Sequence, residues 1–250
     1  MLFCKFSRMD SAARSQNIVL AVRGNYFTES CRLCHSLFHN LFGLDSDTVV
    51  RKSDNVVCHI STKESVQLIR EAKARGVNIT CETGPHYLVM DEGDLIDHGN
   101  YKMNPPLRSK EDREALIEGV RDGTIDMIAT DHAPHSEEEK SKGLEKSLMG
   151  IVGLETAFPI LYTELVRKGV ITLERLVDMM STIPNERFSA GRGEMLGEKG
   201  SFTVFSLDTE YEIDPENFLS KGRNTPFGGR KVFGKCLMTV CDGKIVYNNL

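Results

Sequence analysis

The sequence predicts an α/β fold in which a parallel sheet is followed by a small β subdomain. From residue 55 onward, apolar runs alternate with amphipathic helical patterns in β-α-β-α-β order. That order predicts parallel strands joined by right-handed crossovers. After residue 200 the pattern changes to short strands, and Asp242-Gly243 between the last of them is a strong hairpin signal.

The first two predicted strands enclose a helix with clear end signals. We expect strands over residues 55–60 and 77–81, with a helix over residues 61–75 between them. Ser61 or Thr62 can cap that helix, and Gly76 ends it. Val77 begins the second strand, which runs toward the Gly84-Pro85 break.

The rest of the chain continues this alternation before the short strands begin. Ser109 caps a predicted helix over residues 109–121, Gly123 ends it, and a strand is expected over residues 125–130. The remaining predicted helices cover residues 153–168 and 172–181, and the remaining predicted strands cover residues 201–207, 236–240 and 244–247. We divide the chain into residues 1–54, 55–195 and 196–250.

Composition excludes several classes of partner. The net charge of −5 and the lack of a Lys/Arg stripe argue against nucleic acid. No apolar run approaches the length of a membrane span, and the N-terminus lacks the apolar stretch of a secretory signal. The seven cysteines are scattered and odd in number, as in a reducing compartment. We therefore expect a cytoplasmic protein with a small-molecule partner.

Residues 1–54 do not follow the α/β pattern. They contain no proline, and no strand-helix alternation emerges from them, so we expect a separate and poorly ordered segment. Within it, Cys31 and Cys34 with His35 match the spacing of a c-type haem attachment or half of a zinc site. Chance spacing is the alternative, and it is favoured because no second ligand pair accompanies them.

The stretch from Ile125 to His135 carries the strongest chemical signal. An Ile-rich apolar run ends in Asp131-His132, and Pro134 and His135 follow. A buried parallel strand that delivers polar groups to its C-terminal end has this pattern, and active sites of α/β barrels are built at that end. One carboxylate and two imidazoles suit a metal ion or a proton-transfer site, although a strand followed by a polar turn would look the same.

Further candidates follow other predicted elements. His59 ends the first strand as Asp131 ends the third, so it is either a metal ligand or a hydrogen-bonded core histidine. Asn104 precedes two prolines in a rigid loop that suits recognition of a small polar ligand or merely connects elements. His86 also follows a strand. Gly150 begins a glycine-containing approach to a helix, where N–H groups could hold an anion or glycine could serve packing.

Six motifs follow one another after residue 55. They are residues 58–65 (CHISTKES), 84–88 (GPHYL), 102–108 (KMNPPLR), 126–135 (DMIATDHAPH), 150–159 (GIVGLETAFP) and 224–229 (NTPFGG). In these motifs and in their order, this part of the chain, about four-fifths of the whole, resembles a bacterial dihydroorotase of the type I class.

The resemblance implies the C-terminal part of an amidohydrolase (β/α)8 barrel, with strands 6–8 in residues 55–195, followed by a small β subdomain. It implies interconversion of N-carbamoyl-L-aspartate and L-dihydroorotate in pyrimidine biosynthesis, with a pair of zinc ions. His59 and Asp131 would ligate zinc, and Asp131 would also be the general acid/base. Asn104, His135 and the backbone around Met149 and Gly150 would hold the substrate. His86 matches a family position that does not ligate metal.

The chain departs from this family in its metal ligands. No His-x-His motif occurs in the 250 residues, and the strand 4 and strand 5 ligands have no match. A site with only His59 and Asp131 should hold zinc weakly, so we expect the chain alone to be inactive or nearly so. The alternatives are another cyclic amidase, such as a hydantoinase or allantoinase, and a non-catalytic scaffold for aspartate transcarbamoylase. Association with that enzyme or self-association into a homo-oligomer is expected.

Overall fold

The computed structural model describes residues 55–188 and 200–250. The predicted segment 1–54, with its Cys31–His35 spacing, lies outside the described residues, as does the boundary placed between residues 195 and 196. These expectations therefore stay predictions.

A parallel sheet forms the first part of the described chain. Strands β1 (Asn55–Val57), β2 (Ile79–Thr83) and β3 (Met127–Ile128) lie in the order β1-β2-β3 and are parallel. This confirms a mixed α/β fold with a parallel sheet. Over the described residues the sheet stays open and does not close into a barrel. The outer strands are shorter than the predicted ranges 55–60 and 125–130, because the chain leaves the sheet early toward His59 and Asp131.

The crossovers between these strands contain the two helices that the sequence specifies best. Helix α1 (Lys63–Ala74) is capped by Thr62, whose side chain accepts a hydrogen bond from the Ser65 N–H. It buries Val66, Ile69 and Ala72, so its apolar face follows helical spacing. Helix α2 (Pro85–Val89) is a short addition directly after β2.

Helix α3 (Lys110–Asp122) has the predicted cap and the predicted end. The Ser109 side chain accepts a hydrogen bond from the Asp112 N–H, and Gly123 ends the helix in the left-handed conformation with φ 83°. Glycine tolerates that conformation without the Cβ clash that other residues meet. The cap and stop signals therefore fix both ends of this helix.

The later helices are short and two of them run into π turns. The α-helices are α4 (Glu137–Lys140), α5 (Gly143–Lys146), α6 (Ala157–Leu161), α7 (Leu173–Val177) and α8 (Ile183–Arg187). The π turns are Tyr162–Val166, directly after α6, and Asp178–Thr182, directly after α7. Short 3-10 turns lie at Glu92–Asp94, Gly99–Tyr101 and Pro215–Asn217. Helical structure continues past the predicted end at residue 181 into α8, and Pro184 lies in the first turn of that helix. Within residues 55–188 and 200–250, no helix has the length and apolar character needed to cross a membrane.

The C-terminal residues form the predicted β unit. Strands β4 (Phe202–Ser206), β7 (Lys235–Cys241) and β8 (Lys244–Asn248) make an antiparallel sheet in the order β4-β7-β8. Asp242 and Gly243 both have positive φ, 48° and 76°, as a two-residue type I′ hairpin turn requires. Strands β5 (Tyr211–Glu212) and β6 (Lys231–Val232) pair with each other and were not predicted.

Aromatic contacts fasten the β unit to the end of the α/β part. The rings of Phe158 on α6 and Phe205 on β4 stack with centroids 3.9 Å apart. The guanidinium of Arg167 lies 3.6 Å from the centre of the Phe233 ring, and the Phe233 N–H donates to the Thr163 hydroxyl over 2.9 Å. The residues described by the structure therefore share one core across both parts.

Candidate active site

The carboxyl ends of β1 and β3 bring His59 and Asp131 together. The Nε2 atom of His59 lies 3.7 Å from Oδ1 of Asp131, and both side chains are largely buried. Parallel strands end at the same edge of a sheet, so two residues that follow such strands meet there. These are the residues that the sequence proposed as metal ligands.

Both residues have a left-handed backbone. The φ angle is +55° at His59 and +46° at Asp131. Non-glycine residues seldom adopt this region, and its strain of about 1–3 kcal/mol per residue persists only where surrounding contacts enforce it. The turn out of each strand aims the two side chains at each other, so the strain has a structural consequence at this edge.

Glu82, which the sequence analysis missed, holds His59 in place. Its Oε1 atom accepts the His59 backbone N–H over 2.7 Å and lies 3.0 Å from the His59 Nδ1 atom. The side chain of Glu82 is only 6% exposed. A carboxylate that binds one ring nitrogen of a histidine fixes the orientation of the other nitrogen, here Nε2, which faces Asp131. Strand-end reasoning of the kind that found His59 and Asp131 could also have found Glu82, because Glu82 lies near the carboxyl end of β2, and β2 lies between β1 and β3.

The surroundings of His59 favour its protonated form. Burial by itself lowers the pKa of His59, but the negative charge of Glu82, its hydrogen bond and the charge of Asp131 outweigh burial and raise the pKa to about 9. Two carboxylates thus enclose one imidazole. The cluster has the charge distribution that suits a bound cation or a shared proton.

His86 lies behind this cluster and is wholly buried. Its Nε2 atom has no hydrogen-bond partner among the described residues, and a Cβ atom on Gly84 would lie 2.6 Å from its ring. Burial first, and then the charge of His59, lowers the pKa of His86 to about 3. His86 is therefore a neutral core histidine in this structure, in line with its placement outside the predicted ligand set.

His132 is engaged with the chain that precedes α6. Its Nδ1 atom accepts hydrogen bonds from the N–H groups of Gly153 and Leu154, over 3.0 and 3.4 Å. The glycine pattern predicted that N–H groups of this segment could bind an anion. In this structure the N–H groups of Gly153 and Leu154 donate to the His132 side chain instead. His132 carries its proton on Nε2 when it is neutral.

His135, Met149 and Gly150 form a second group beside the cluster. The Nε2 atom of His135 lies 2.9 Å from the Met149 carbonyl oxygen, and Nδ1 lies 3.5 Å from Oε2 of Glu139. Asn224 joins this group to the end of β3: its Oδ1 accepts the His135 N–H, and its amide group donates to the carbonyls of Ala133 and Gly150. Three of the predicted substrate residues are thus in contact, and Asn224 organises them.

Asn104 lies on a loop that is held on both sides. On one side, the Lys102 carbonyl accepts the Gly150 N–H over 2.9 Å. On the other side, the Tyr87 hydroxyl donates to the Pro105 carbonyl over 2.7 Å, and the Asn104–Pro105 peptide bond is cis. Among the hydrogen bonds of the described residues, none joins the Asn104 side chain to His59, Asp131 or His135. The hydrogen bond between the Gly150 N–H and the Lys102 carbonyl therefore places the loop that carries Asn104 beside Gly150.

Gly150 permits this close approach, and its replacement tests the arrangement. It has φ 126°, and a Cβ atom would lie 2.4 Å from the Cβ of Ala133. We expect Gly150→Ala to lower the free energy of unfolding by about 3 kcal/mol, from steric overlap and backbone strain together. Urea denaturation would measure the change.

A matched control separates the two causes. Gly169 also has positive φ, 71°, but a Cβ there would meet nothing within 4 Å. Gly169→Ala should therefore cost only the backbone term, about 1 kcal/mol. Equal losses in both variants would contradict the close approach at Gly150.

The described residues do not by themselves complete a metal centre. No group of three or more His, Cys, Asp or Glu side chains within them is arranged to hold a metal ion. His59 and Asp131 offer two ligands, whereas zinc sites in proteins use three or four protein ligands. The donor set in the described part of the chain therefore does not fit a complete zinc site.

Comparison with known proteins identifies a family. A model described as the amidohydrolase family matches residues 26–246. This match begins inside the segment 1–54, whose structure lies outside the described residues. Dihydroorotase of Brevibacillus brevis is 55% identical over 197 residues, which are 78% of this chain and 46% of that protein. Dihydroorotase of Anoxybacillus flavithermus is 56% identical over 194 residues, which are 76% of this chain and 45% of that protein.

Solved structures of related proteins match the same share of the chain. L-hydantoinase (dihydropyrimidinase) of Arthrobacter aurescens has a TM-score of 0.69 at 32% identity, over 78% of this chain and 45% of that one. D-hydantoinase of Bacillus sp. AR9 has a TM-score of 0.67 at 28% identity, with the same coverage. This chain thus spans less than half the length of these relatives.

Proposed function

Because the chain belongs to the amidohydrolase family, we propose that it is the C-terminal part of a (β/α)8-barrel hydrolase that acts on a cyclic amide. In this proposal β1, β2 and β3 are strands 6, 7 and 8 of the barrel. The support is their parallel order, the hydantoinase structures that the described residues resemble, and the share of each relative that the chain spans.

The proposed reaction is the interconversion of N-carbamoyl-L-aspartate and L-dihydroorotate. The observation that carries it is the His59–Asp131 contact at the common strand edge, within a chain 55% identical to a dihydroorotase. Asp131 would accept a proton from the attacking water and return it to the leaving amide nitrogen. Asn104, His135 and the backbone at Met149 and Gly150 would fix the substrate for that transfer. A cytoplasmic location and a role in pyrimidine biosynthesis go with this proposal.

Zinc is the metal typical of this family, and His59 and Asp131 are its proposed ligands here. The described residues hold no group of three such ligands. The incomplete ligand set favours a second proposal, a non-catalytic scaffold that associates with aspartate transcarbamoylase. The hydantoinase structures favour a third, another cyclic amidase.

A binding panel distinguishes these proposals. We expect ligand-observed NMR to detect binding of N-carbamoyl-L-aspartate by the purified 250-residue chain in preference to hydantoin and allantoin. His135→Ala and Asn104→Ala should abolish this binding, whereas Glu118→Ala, on the exposed face of α3, should leave it unchanged. Preference for hydantoin would favour the other cyclic amidase, and binding of none of the three would favour the scaffold.

Catalysis and metal content give an independent measurement. We expect no detectable dihydroorotate hydrolysis by the chain alone with added zinc, since the described ligand set is incomplete. Hydrolysis that disappears in Asp131→Ala would contradict this expectation. So would about two tightly held zinc ions per chain by elemental analysis, the content of a complete two-metal site.

A further inference from the structure

Lys140, at the end of α4, is buried although it carries an ammonium group. Its exposure is 1%, among the lowest of the large side chains in the described residues. The Nζ atom donates to three main-chain carbonyls: Leu148 and Gly150, each over 2.8 Å, and Lys102 over 3.2 Å. These bonds use all three donors of an ammonium group, which explains how the charge is accommodated without a carboxylate.

The three carbonyls belong to two segments, each of which carries a proposed substrate residue. Lys102 lies on residues 101–105, here called the Asn104 loop. Leu148 and Gly150 lie on residues 148–151, here called the Gly150 segment. The segments touch directly through the Gly150 N–H and the Lys102 carbonyl, 2.9 Å apart. Lys140 adds a donor to both segments at once, so it fixes their separation.

The backbone of Lys140 is anchored as firmly as its side chain. Its carbonyl oxygen accepts the Ser147 hydroxyl over 3.0 Å. A Cβ atom on Gly99 would lie 2.1 Å from that same carbonyl oxygen, so the turn before the Asn104 loop packs directly on Lys140. These two neighbours therefore fix the backbone position from which the side chain reaches the three carbonyls.

The cost of burying the Lys140 ammonium group indicates that this residue has a structural role. Burial first, and then the positive charge of Lys102, lowers the pKa of Lys140 to about 8. A cation in this position costs free energy, and an apolar side chain of the same length would avoid that cost. What an apolar side chain could not do is bind three carbonyls from two segments.

We infer that Lys140 is a positioning residue that fastens the Asn104 loop to the Gly150 segment, so that the proposed substrate residues on the two segments keep a fixed separation. The inference rests on the proposed function for the identity of the substrate, but the fastening itself is a property of the chain. Lys140 touches neither His59 nor Asp131 in the described contacts; it acts through Lys102 and Gly150.

The test compares Lys140→Met with Lys73→Met. Lys73 is the control, because its Nζ also donates to main-chain carbonyls, those of Gly123 and Thr124, near the start of β3 rather than its end. It differs from Lys140 in that it also pairs with the Asp126 carboxylate. Segment-resolved hydrogen exchange would be measured on both variants and the parent chain. We expect exchange in residues 99–104 and 148–151 to rise at least about tenfold in Lys140→Met, the change that the loss of even one of its three charged hydrogen bonds implies, and to stay unchanged in Lys73→Met.

Ligand affinity supplies the readout that a merely structural role would not move. Binding of N-carbamoyl-L-aspartate should weaken about tenfold in Lys140→Met at a denaturation midpoint comparable to that of Lys73→Met, in which affinity is kept. If Lys140→Met does not fold, Lys140→Gln, which is shorter and uncharged, takes its place with the same expected changes.

The outcomes decide the inference and the proposed function separately. Parent-like exchange in both segments of the Lys140 variant overturns the inference, as does an equal rise in Lys73→Met. If the parent chain binds neither N-carbamoyl-L-aspartate nor dihydroorotate, the proposed function fails, and the exchange comparison alone decides whether Lys140 fastens the segments.

Discussion

Replacement of Glu82 with leucine is expected to lower the free energy of unfolding by about 3–5 kcal/mol, the cost of breaking a buried ion pair by removing one partner. Glu82 accepts the backbone N–H of His59 and lies 3.0 Å from its Nδ1 atom, in a setting where both side chains are largely buried. Leucine fits the volume but leaves the His59 N–H without its acceptor. It also removes a contact that enforces the left-handed backbone at His59.

The matched control is Glu82→Gln, which keeps an acceptor for the His59 N–H and removes only the charge. Its loss should be clearly smaller than that of the leucine variant. Urea denaturation in the presence of a chelator reports on the chain without bound metal. A loss below about 1 kcal/mol in Glu82→Leu, the size seen for exposed ion pairs, would mean that Glu82 does not hold His59.

Acid should destabilise the chain through His86. The folded protein keeps this histidine neutral down to about pH 3, whereas the unfolded chain protonates it near its ordinary pKa of 6.5. The contribution of His86 is therefore fully present above pH 6.5 and is lost as the pH falls from 6.5 to about 3. The full loss is on the order of 5 kcal/mol, from the difference between the two pKa values.

Two variants assign this pH dependence to one residue. His86→Gln removes the titrating group, so the free energy of unfolding should fall less steeply between pH 6.5 and pH 4 than in the parent chain. His98→Gln changes an exposed histidine and should keep the parent slope. A parent-like slope in His86→Gln would show that other groups account for the acid sensitivity.

The sequence predicted the elements that carry their own end signals. Thr62, Ser109 and Gly123 define helices α1 and α3, and the structure places the ends within two residues of the predictions. Strands β5 and β6, of two residues each, carry no comparable pattern, and their pairing depends on contacts made across the fold. The two π turns were likewise not predicted, because the residues around them have an ordinary helical pattern.

In the candidate site too, the residues that were predicted are those for which the sequence carries a local signal. Strand-end reasoning from one sequence was enough to bring His59 and Asp131 to a common edge, because parallel strands share their direction. Lys140 could not be found in this way: it follows Glu137, Glu138 and Glu139 and looks like part of a solvated charged turn. Its burial depends on three main-chain carbonyls whose positions in the fold no sequence pattern predicts. The roles of Asn104, His135, Met149 and Gly150 toward a substrate stay predictions.

The position of Asn224 along the chain has a consequence for the order in which the site forms. Its side chain bonds to Ala133, His135 and Gly150, which precede it by 91, 89 and 74 residues. Contacts across such distances close large loops, whose entropy must be lost before the bonds form, and they slow folding. Residues 133–150 are therefore synthesised well before they acquire their last partner, Asn224. During synthesis on the ribosome, the substrate side of the site would remain unfinished until the C-terminal β unit emerges.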